Sequence, residues 1–464
     1  MASSACKALA SSGLDQIAPG LEGKVQAARE HHRVPGLAIG ILHAGTANAA
    51  GFGVTSVDNP LPVNADTLFQ IGSITKTVTA TAVMRLVESG VLDLDQPIRT
   101  YLPELVLSDV HAMAMVTLRH LLTHTAGWEG DDFSDPGAGD DALARYVAGM
   151  AELPQLTRLG QTWSYCNSGF SLAGRVIEVV TAKSYESAIH ELVLDPLGMQ
   201  QALFWPADVM THRFVVGHYV GAKDTVVARP WPIPRAANPA GGITTSINDL
   251  LRYAGFQLGD GLAPDGARLL SREHMRVMQT PQVRAGGMAE SVGLAWLLRT
   301  LDGVRVVEHG GGTNGQTSTL ELIPERNFAV IVLTNADRGG ALCKDVTNWI
   351  LEHVLGLRQA EPTPHELPPE QLVAYVGRYE TRLNTVELTI SESALIAQVI
   401  PKGGFPTKDS PPWPTPPPTR VAFFAEDAIM ALDPPWTGGR AEFLRAPDGR
   451  IAWLRWGGRI AART

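Results

Sequence analysis

Gly72-Ser73-Ile74-Thr75-Lys76 is the segment around which the rest of the chain can be interpreted. Residues 67–71 before it are a short extended run, and apolar residues after Lys76 repeat at helical spacing until Gly90. This pattern places Ser73 at the first turn of a helix, where unpaired backbone N–H groups favour negative charge. Because Lys76 follows three residues later, its side chain is expected on the same helix face.

A serine and a lysine in this arrangement are suited to nucleophilic catalysis. A serine hydroxyl is a weak nucleophile until a base removes its proton, and a lysine can be that base when burial or nearby positive charge lowers its pKa. The S-x-x-K spacing alone has low specificity, because Ser4-Ala5-Cys6-Lys7 has it without a preceding strand. An N-cap serine followed by a solvated lysine is the structural alternative.

The composition is that of a globular protein with one large and one smaller domain. The chain has 464 residues, of which 45% are hydrophobic and 18% are charged, and its formal net charge is −9. The acidic balance and the lack of a basic cluster argue against a nucleic-acid partner. No stretch is long and apolar enough to span a bilayer, and residues 1–20 do not resemble a signal peptide. We therefore expect no membrane partner and a cytoplasmic location.

Cysteine usage agrees with this expectation. The three cysteines, Cys6, Cys166 and Cys343, are widely spaced and odd in number. Such spacing suggests neither a disulfide framework nor a zinc site, and it fits a reducing compartment.

The order of predicted elements indicates a mixed α/β (α+β) domain. Strands are predicted at both ends of this domain, with helices between them, which implies a sheet closed by distant chain segments and interrupted by a helical insertion. The acidic, glycine-rich segment 129–141 within the insertion is predicted to be a surface loop. The predicted strands are residues 36–42, 47–54, 293–299, 304–308, 316–324 and 328–335, followed by a helix at 342–355.

A proline-rich linker is predicted at residues 358–369, between a domain at 1–357 and a domain at 370–464. The second domain is predicted to be a small all-β barrel, and its segment 401–418 is too rich in proline to be a strand. The short strands of the barrel are predicted at residues 375–379, 386–390, 395–399, 420–424, 428–432, 441–445 and 451–456.

Tyr165 and Asn167 form a second candidate motif, because they precede a predicted helix. A tyrosine oxygen near the serine can transfer a proton, and an amide can orient Lys76 or hold the substrate. The structural alternative is a core tyrosine and a turn asparagine.

His309 and the glycines after it form a third candidate motif at the end of a predicted strand. Successive glycines at positions 310, 311 and 312 weaken a strand, which indicates that another group approaches the backbone closely. Free N–H groups on such a strand can complete an oxyanion hole. The H-x-G pattern alone has low specificity, since His43-Ala44-Gly45 also has it.

The three motifs, in this order, resemble those of the serine β-lactamase and penicillin-binding-protein group. They look most like those of its β-lactamase-related members, which include D-aminopeptidases, D-Ala-D-Ala carboxypeptidases, esterases and some acyltransferases. The resemblance covers residues 20–356 and implies an antiparallel sheet flanked by helices. The C-terminal region is similar to a lipocalin-like barrel at Tyr375, Gly377, Tyr379 and Trp456-Gly457-Gly458-Arg459.

The resemblance implies a catalytic role for each motif. Ser73 would be the acylated nucleophile, and Lys76 would be its base or would tune that base. Tyr165 would be the second proton-transfer group, with Asn167 as a positioning residue.

The third motif would supply the substrate-binding strand. The backbone N–H groups of Ser73 and Gly312 would form the oxyanion hole, with Gly311 beside them. His309 stands where the family commonly has lysine, and a histidine is neutral much of the time near pH 7. This departure favours peptide, amide or ester substrates over efficient β-lactam turnover.

The expected function is therefore that of a serine hydrolase acting on a small-molecule amide, peptide (D-amino-acid type) or ester. Acyl transfer at the same site, β-lactamase activity and an inactive binding protein of the same fold are the alternatives, and assembly into a homo-oligomer stays open. An α/β-hydrolase would need a G-x-S-x-G elbow, which the chain lacks. His120 and His124 have the spacing of zinc ligands but lack an H-E-x-x-H motif, so we expect no metal and no cofactor.

Overall fold

A computed structural model describes residues 14–221 and 223–464, and it contains two sheet-based units. The second S-x-x-K segment, Ser4 to Lys7, and Cys6 lie outside the described residues. The helices are α1 (Leu21–His31), α2 (Thr75–Glu88), α3 (Val110–Met115), α4 (Leu118–Leu122), α5 (Ala142–Gly149), α6 (Asn167–Thr181), α7 (Tyr185–Ile189), α8 (Pro206–Val209), α9 (Asn238–Gly241), α10 (Ile247–Leu258), α11 (Arg272–Met278), α12 (Gly339–Leu355) and α13 (Pro369–Leu372).

The strands divide between an open sheet with two small ribbons and a barrel. The first group is β1 (Gly36–His43), β2 (Thr46–Gly53), β3 (Phe69–Gln70), β4 (His218–Val220), β5 (Thr225–Val227), β6 (Thr244–Thr245), β7 (Val283–Gly286), β8 (Ala289–Val292), β9 (Leu297–Leu301), β10 (Val304–Thr313), β11 (Gln316–Ile323) and β12 (Phe328–Thr334). The barrel strands are β13 (Gly377–Glu380), β14 (Asn384–Ser391), β15 (Ala394–Pro401), β16 (Thr419–Ala425), β17 (Ala428–Ala431), β18 (Arg440–Arg445), β19 (Ile451–Trp456) and β20 (Arg459–Arg463).

The main sheet has eight strands in the order β2-β1-β12-β11-β10-β9-β8-β7, and its neighbouring strands are antiparallel. The N-terminal strand β1 pairs with β12, so the prediction of a sheet closed by distant segments is confirmed. Strands β7 and β8 were not predicted. The strand predicted at 293–299 is displaced, because Gly293 to Trp296 form the connection between β8 and β9.

Helices cover both faces of this sheet, which explains why the adjacent strands β1 and β12 are apolar along nearly their whole length. Alternate residues of β1 face opposite sides. Ala38 and Leu42 pack into the cluster that contains α2, α6 and α10, whereas Ile39 and Ile41 pack beneath α1 and α12. The antiparallel sheet flanked by helices that was predicted from the sequence is therefore present.

The C-terminal strands β13 to β20 form a closed eight-stranded barrel with its own apolar cluster. The last strand, β20, was not predicted from the sequence. It closes the barrel by pairing with β13, where Tyr379 lies opposite Arg463. Arginines at both of its ends leave few apolar positions in its sequence, which accounts for the missing strand signal.

No helix in the described residues is long and apolar enough to cross a membrane.

Candidate active site

The turn that carries Ser73 and the helix that carries Lys76 adjoin as predicted. Ser73 lies in a 3-10 turn, Gly72–Ile74, and Lys76 lies in the first turn of α2. Lys76 Nζ is 3.0 Å from Ser73 Oγ and donates a 2.6 Å hydrogen bond to the carbonyl oxygen of Ala240. Lys76 is completely buried, and this burial lowers the pKa of its amine well below the usual value. A neutral amine in this position can accept the Ser73 proton.

Tyr165 is the third member of this cluster. It is buried just before α6, and its phenol lies near enough to Ser73 for the serine side chain to lower the phenol pKa. Lys76 Nζ lies 4.9 Å from the centre of its ring. Burial raises the pKa of the phenol, so Tyr165 is a protonated donor in the resting site.

His124 supports the Tyr165 ring, a contact that the sequence did not reveal. The two rings are stacked, with centroids 4.4 Å apart. His124 Nδ1 accepts a 3.0 Å hydrogen bond from the backbone N–H of Cys166, and burial lowers the pKa of the imidazole well below its usual value. A neutral ring held at Nδ1 acts as a fixed platform for the phenol.

His120 does not join His124 in a metal site. Its Nδ1 is 2.8 Å from Thr117 Oγ1, in a capping interaction at the start of α4. In the part of the chain that the structure describes, no group of three or more His, Cys, Asp or Glu side chains could hold a metal ion.

His309 lies on β10 and reaches the same cluster. It is buried, its ring centroid is 6.1 Å from that of Tyr165, and its Nδ1 lies 2.6 Å from the carbonyl oxygen of Gly310. Since a carbonyl only accepts, Nδ1 carries the hydrogen and Nε2 is an acceptor. Burial and the charge of Lys76 lower the pKa of His309 to about 3. This histidine is therefore uncharged near pH 7.

The glycines after His309 are the place where β10 contacts the serine turn. A Cβ on Gly311 would lie 1.9 Å from the carbonyl oxygen of Ile71, and a Cβ on Gly72 would lie 2.6 Å from the Gly312 nitrogen. The close backbone approach predicted from the glycine run is confirmed. Gly311 is used for this packing, whereas a Cβ on Gly312 would meet nothing within 4 Å, so this position faces open space.

Asn167 is the first residue of α6, and its side chain turns toward an acidic residue. Its Nδ2 donates a 2.6 Å hydrogen bond to Asp131 Oδ1. The hydrogen-bond partners of Lys76 are Ser73 and Ala240, so Asn167 does not orient Lys76 directly. The alternative role of Asn167, holding the substrate, stays a prediction.

Asp131 belongs to the segment 129–141 that was predicted to be a surface loop, and for its first residues this prediction is wrong. Glu129 and Asp131 are only 9% and 4% exposed. Gly130 allows this burial, because a Cβ there would lie 2.5 Å from the Cα of Cys166. Composition suggested a solvated loop, but the missing side chain lets the segment pack against the residue after Tyr165.

Arg459, from the barrel, completes this cluster. Its Nε donates a 3.0 Å hydrogen bond to Asp131 Oδ2, and its guanidinium carbon lies 4.5 Å from the centre of the Tyr165 ring. The backbone N–H of Tyr165 also donates a 2.8 Å bond to the carbonyl oxygen of Gly458.

The sequence motifs placed the whole site before the linker, and Arg459 was quoted only as part of a barrel signature. The Gly457-Gly458 pair before Arg459 was the one local feature of the sequence that could have indicated a close approach of this turn to the site. A Cβ on Gly458 would lie 2.8 Å from the Trp163 ring, so this turn can approach the site only with glycine.

Comparisons with known proteins agree on the family of this fold. A family model described as Beta-lactamase matches residues 21–353. The chain is 34% identical over 367 residues to penicillin-binding protein 4 of Amycolatopsis lactamdurans, covering 77% of this chain and 96% of that protein. It is 29% identical over 333 residues to the esterase EstB of Burkholderia gladioli, covering 64% of this chain and 82% of that protein.

Among solved structures, the crystal structure of SurE with D-Leu resembles the chain over nearly its full length. The TM-score is 0.75 and the identity 26%, and the match covers 97% of this chain and 100% of SurE. The similarity therefore includes the barrel as well as the main sheet.

Proposed function

Because the chain belongs to the beta-lactamase family, we propose that it is a serine hydrolase that breaks an ester or amide bond through an acyl-enzyme on Ser73. The observation that carries this proposal is the 3.0 Å distance between Ser73 Oγ and the buried Lys76 Nζ. Burial makes the cationic form of Lys76 unfavourable and so lowers its pKa. Ionisable groups whose pKa is strongly shifted in this way concentrate at catalytic sites.

In acylation, Ser73 Oγ attacks the substrate carbonyl carbon while its proton passes to Lys76 Nζ. The negative charge that develops on the carbonyl oxygen is stabilised by the backbone N–H groups of Ser73 and Gly312. Tyr165 then donates its phenolic proton to the leaving alcohol or amine, and the bond between that group and the carbonyl carbon breaks. The proton held by Lys76 returns to the phenolate, so both groups are restored.

Deacylation repeats these steps with water as the nucleophile. Water transfers a proton to Lys76 Nζ as it attacks the acyl carbon, and Tyr165 donates its phenolic proton to Ser73 Oγ as the ester bond breaks. The proton held by Lys76 then returns to the phenolate. Admission of another amine or alcohol in place of water would give acyl transfer with the same residues. The balance between the two outcomes depends on which acceptor enters the cleft.

The substrate class follows from the charge of the site and from its relatives. His309 offers no permanent cation on β10, since its pKa is lowered to about 3. A substrate that needs a positive charge at this position, as β-lactams commonly do, is disfavoured. Similarity to an esterase and to SurE crystallised with D-Leu supports an ester or amide on the carbonyl of a D-amino acid.

A panel of substrates on one preparation tests this proposal. It contains p-nitrophenyl esters, D- and L-alanine p-nitroanilides and a chromogenic cephalosporin, and intact-protein mass spectrometry detects the acyl-enzyme. We expect turnover of esters and D-alanine anilide, with an acyl adduct on Ser73. Preference for the cephalosporin would make the chain a β-lactamase instead. The absence of any adduct with the panel or a fluorophosphonate would favour an inactive binding protein.

The proposed location is the cytoplasm. Cys166 and Cys343, the two cysteines of the described residues, are buried free thiols, which suits a reducing compartment. Fractionation of cells that express the chain with its native N-terminus is the direct measurement, and recovery outside the cytoplasm would contradict this assignment.

A further inference from the structure

We propose that Arg459 is a positioning residue for proton transfer at Tyr165, which the barrel supplies to a site that is incomplete without it. The inference rests on the proposed function, since it assigns a task within the same acyl-enzyme chemistry. It goes beyond that function by giving the C-terminal barrel a part in the reaction.

The geometry connects Arg459 to both residues of the second motif, Tyr165 and Asn167. Its guanidinium lies over the face of the Tyr165 ring, with 4.5 Å between the guanidinium carbon and the ring centre. Its Nε is bonded to Asp131, which is bonded in turn to Asn167 at the start of α6. Tyr165 thus contacts both the His124 ring and the Arg459 guanidinium.

The positive charge of Arg459 can stabilise a charged form of Tyr165 in addition to packing against its ring. When Tyr165 donates its proton to a leaving group, it becomes a phenolate inside a buried site, where an isolated anion is costly. A guanidinium keeps its proton at any pH at which the protein folds. His309 is neutral, so Arg459 is the residue at this cluster whose positive charge does not depend on proton transfer.

The same charge acts on Lys76. Burial lowers the pKa of Lys76 most, and the guanidinium of Arg459 lowers it further, because two cations near one another are unfavourable. Removal of Arg459 would also leave Asp131 without its cation, which favours protonated Lys76. Both changes act in the same direction and would leave less neutral amine to accept the Ser73 proton.

A purely structural role predicts a different result, and the chain offers a matched comparison. Arg382 also reaches from the barrel to an aspartate of the main domain, with 2.9 Å to Asp132. The side chain of Arg382 is 33% exposed and that of Arg459 is 34% exposed. The Arg382–Asp132 ion pair joins the barrel to the main domain, but Arg382 does not contact the Tyr165 ring as Arg459 does. Arg382→Ala therefore measures the cost of losing one such ion pair.

The experiment compares Arg459→Ala, Arg459→Lys and Arg382→Ala in the full-length protein, with the ester substrate that the wild-type chain turns over best. We expect Arg459→Ala to lower kcat by about 10- to 100-fold, which is part of the effect of a lost acid–base group, with KM changed by less than about threefold. Arg459→Lys should lower kcat by a smaller factor than Arg459→Ala, because lysine keeps the positive charge but not the flat contact with the Tyr165 ring. Arg382→Ala should keep the wild-type kcat.

Two further readouts separate charge from shape. Guanidinium chloride added at millimolar concentration should restore part of the activity of Arg459→Ala, whereas urea, a neutral molecule of similar shape, should not. The acidic limb of the kcat/KM profile should move to higher pH by about one unit, because Lys76 then loses its proton less readily. Besides Arg459, the titratable and charged groups that face Tyr165 are Lys76, His124, Asp131, Cys166 and His309.

The proposal is overturned if Arg459→Ala loses no more activity than Arg382→Ala, or if urea rescues as well as guanidinium does. It is also overturned if KM rises while kcat stays at the wild-type value, which would make Arg459 a substrate-binding residue. Failure of the proposed function looks different, because the wild-type chain itself would then form no acyl-enzyme. Circular dichroism and a melting curve on each variant show that only folded proteins are compared.

Discussion

Lys76 donates a 2.6 Å hydrogen bond to the carbonyl oxygen of Ala240, although 164 residues separate the two in the chain. Ala240 lies in α9, a four-residue helix that packs between α2 and α6. The bond fixes Nζ at 3.0 Å from Ser73 Oγ. One hydrogen of the neutral amine is directed to Ala240, which leaves its lone pair free for the serine proton.

Replacement of Lys76 is expected to disable this transfer. Lys76→Met should lower kcat/KM by about three orders of magnitude or more, because residues that act as one proton-transfer unit fail together. Lys76→Arg should be as inactive, because a guanidinium does not give up its proton to become a base. Steady-state kinetics with a p-nitrophenyl ester measures both. Lys24→Met, which removes a surface ion pair with Asp345, is the control and should keep the wild-type rate.

Ser73→Ala is expected to abolish turnover and to leave the fold intact. The side chain is a hydroxyl at the start of α2, and alanine occupies the same space without a nucleophile. Intact-protein mass spectrometry after a fluorophosphonate should show a single adduct in the wild-type chain and none in Ser73→Ala. Ser89→Ala, which changes a serine just past the other end of α2, should still be labelled. Retention of most of the wild-type kcat/KM in Ser73→Ala would refute the mechanism.

Tyr165→Phe is expected to slow acylation and deacylation by about two to four orders of magnitude, the range for a lost acid–base group. The phenyl ring keeps the stacking on His124, so the melting temperature should change little. Tyr185→Phe is the control, since the hydroxyl of Tyr185 bonds Thr79 away from the serine. It should lose stability but not activity. A folded Tyr165→Phe protein with the wild-type rate would make Tyr165 a packing residue.

The buried His309 is expected to make the fold sensitive to acid. Its pKa is about 3 in the folded chain, against an ordinary 6.5 that applies when the chain is unfolded. As pH falls below 6.5, His309 binds a proton in the unfolded chain but stays neutral in the folded chain, so the free energy of unfolding decreases. The decrease is about 1.4 kcal/mol for each pH unit until the pH nears 3.

Urea unfolding at pH 7 and pH 5 measures this effect. The difference in unfolding free energy between the two pH values should be smaller in His309→Gln than in the wild-type chain, by about 2 kcal/mol. His43→Gln, at an exposed histidine, should keep the wild-type difference. An equal difference in all three proteins would mean that His309 is protonated in the fold.

Truncation after Leu357 is expected to leave a folded but impaired enzyme. The barrel has an apolar cluster of its own, so residues 1–357 keep their core, yet they lose Gly458 and Arg459 from the site. Circular dichroism should show native structure, and kcat should fall at least as far as in Arg459→Ala. Light scattering of both chains measures assembly, and loss of an oligomer on truncation would assign it to the barrel. A chain that cannot fold would mean that the domain boundary is misplaced.

The local pattern of the sequence was sufficient to locate Ser73, Lys76 and Tyr165, because each belongs to a short motif at a helix start. The same is true of the glycines after His309, whose cost within a strand indicated that another group approaches closely; the structure identifies that group as the backbone of Ile71 and Gly72. Apolar runs with a period of two identified most strands of the sheet and of the barrel. These features depend on neighbours within a few residues, so spacing and residue type carry the information.

The contacts of His124, Asp131, Ala240 and Arg459 were decided only by the tertiary structure. The Arg459–Asp131 ion pair joins residues 328 positions apart, across a linker that the sequence marks as a boundary. Composition made the segment of Asp131 look solvated and gave β20 too few apolar positions to be recognised. Burial and charge pairing depend on which surfaces meet after folding, and local periodicity does not record which surfaces those are.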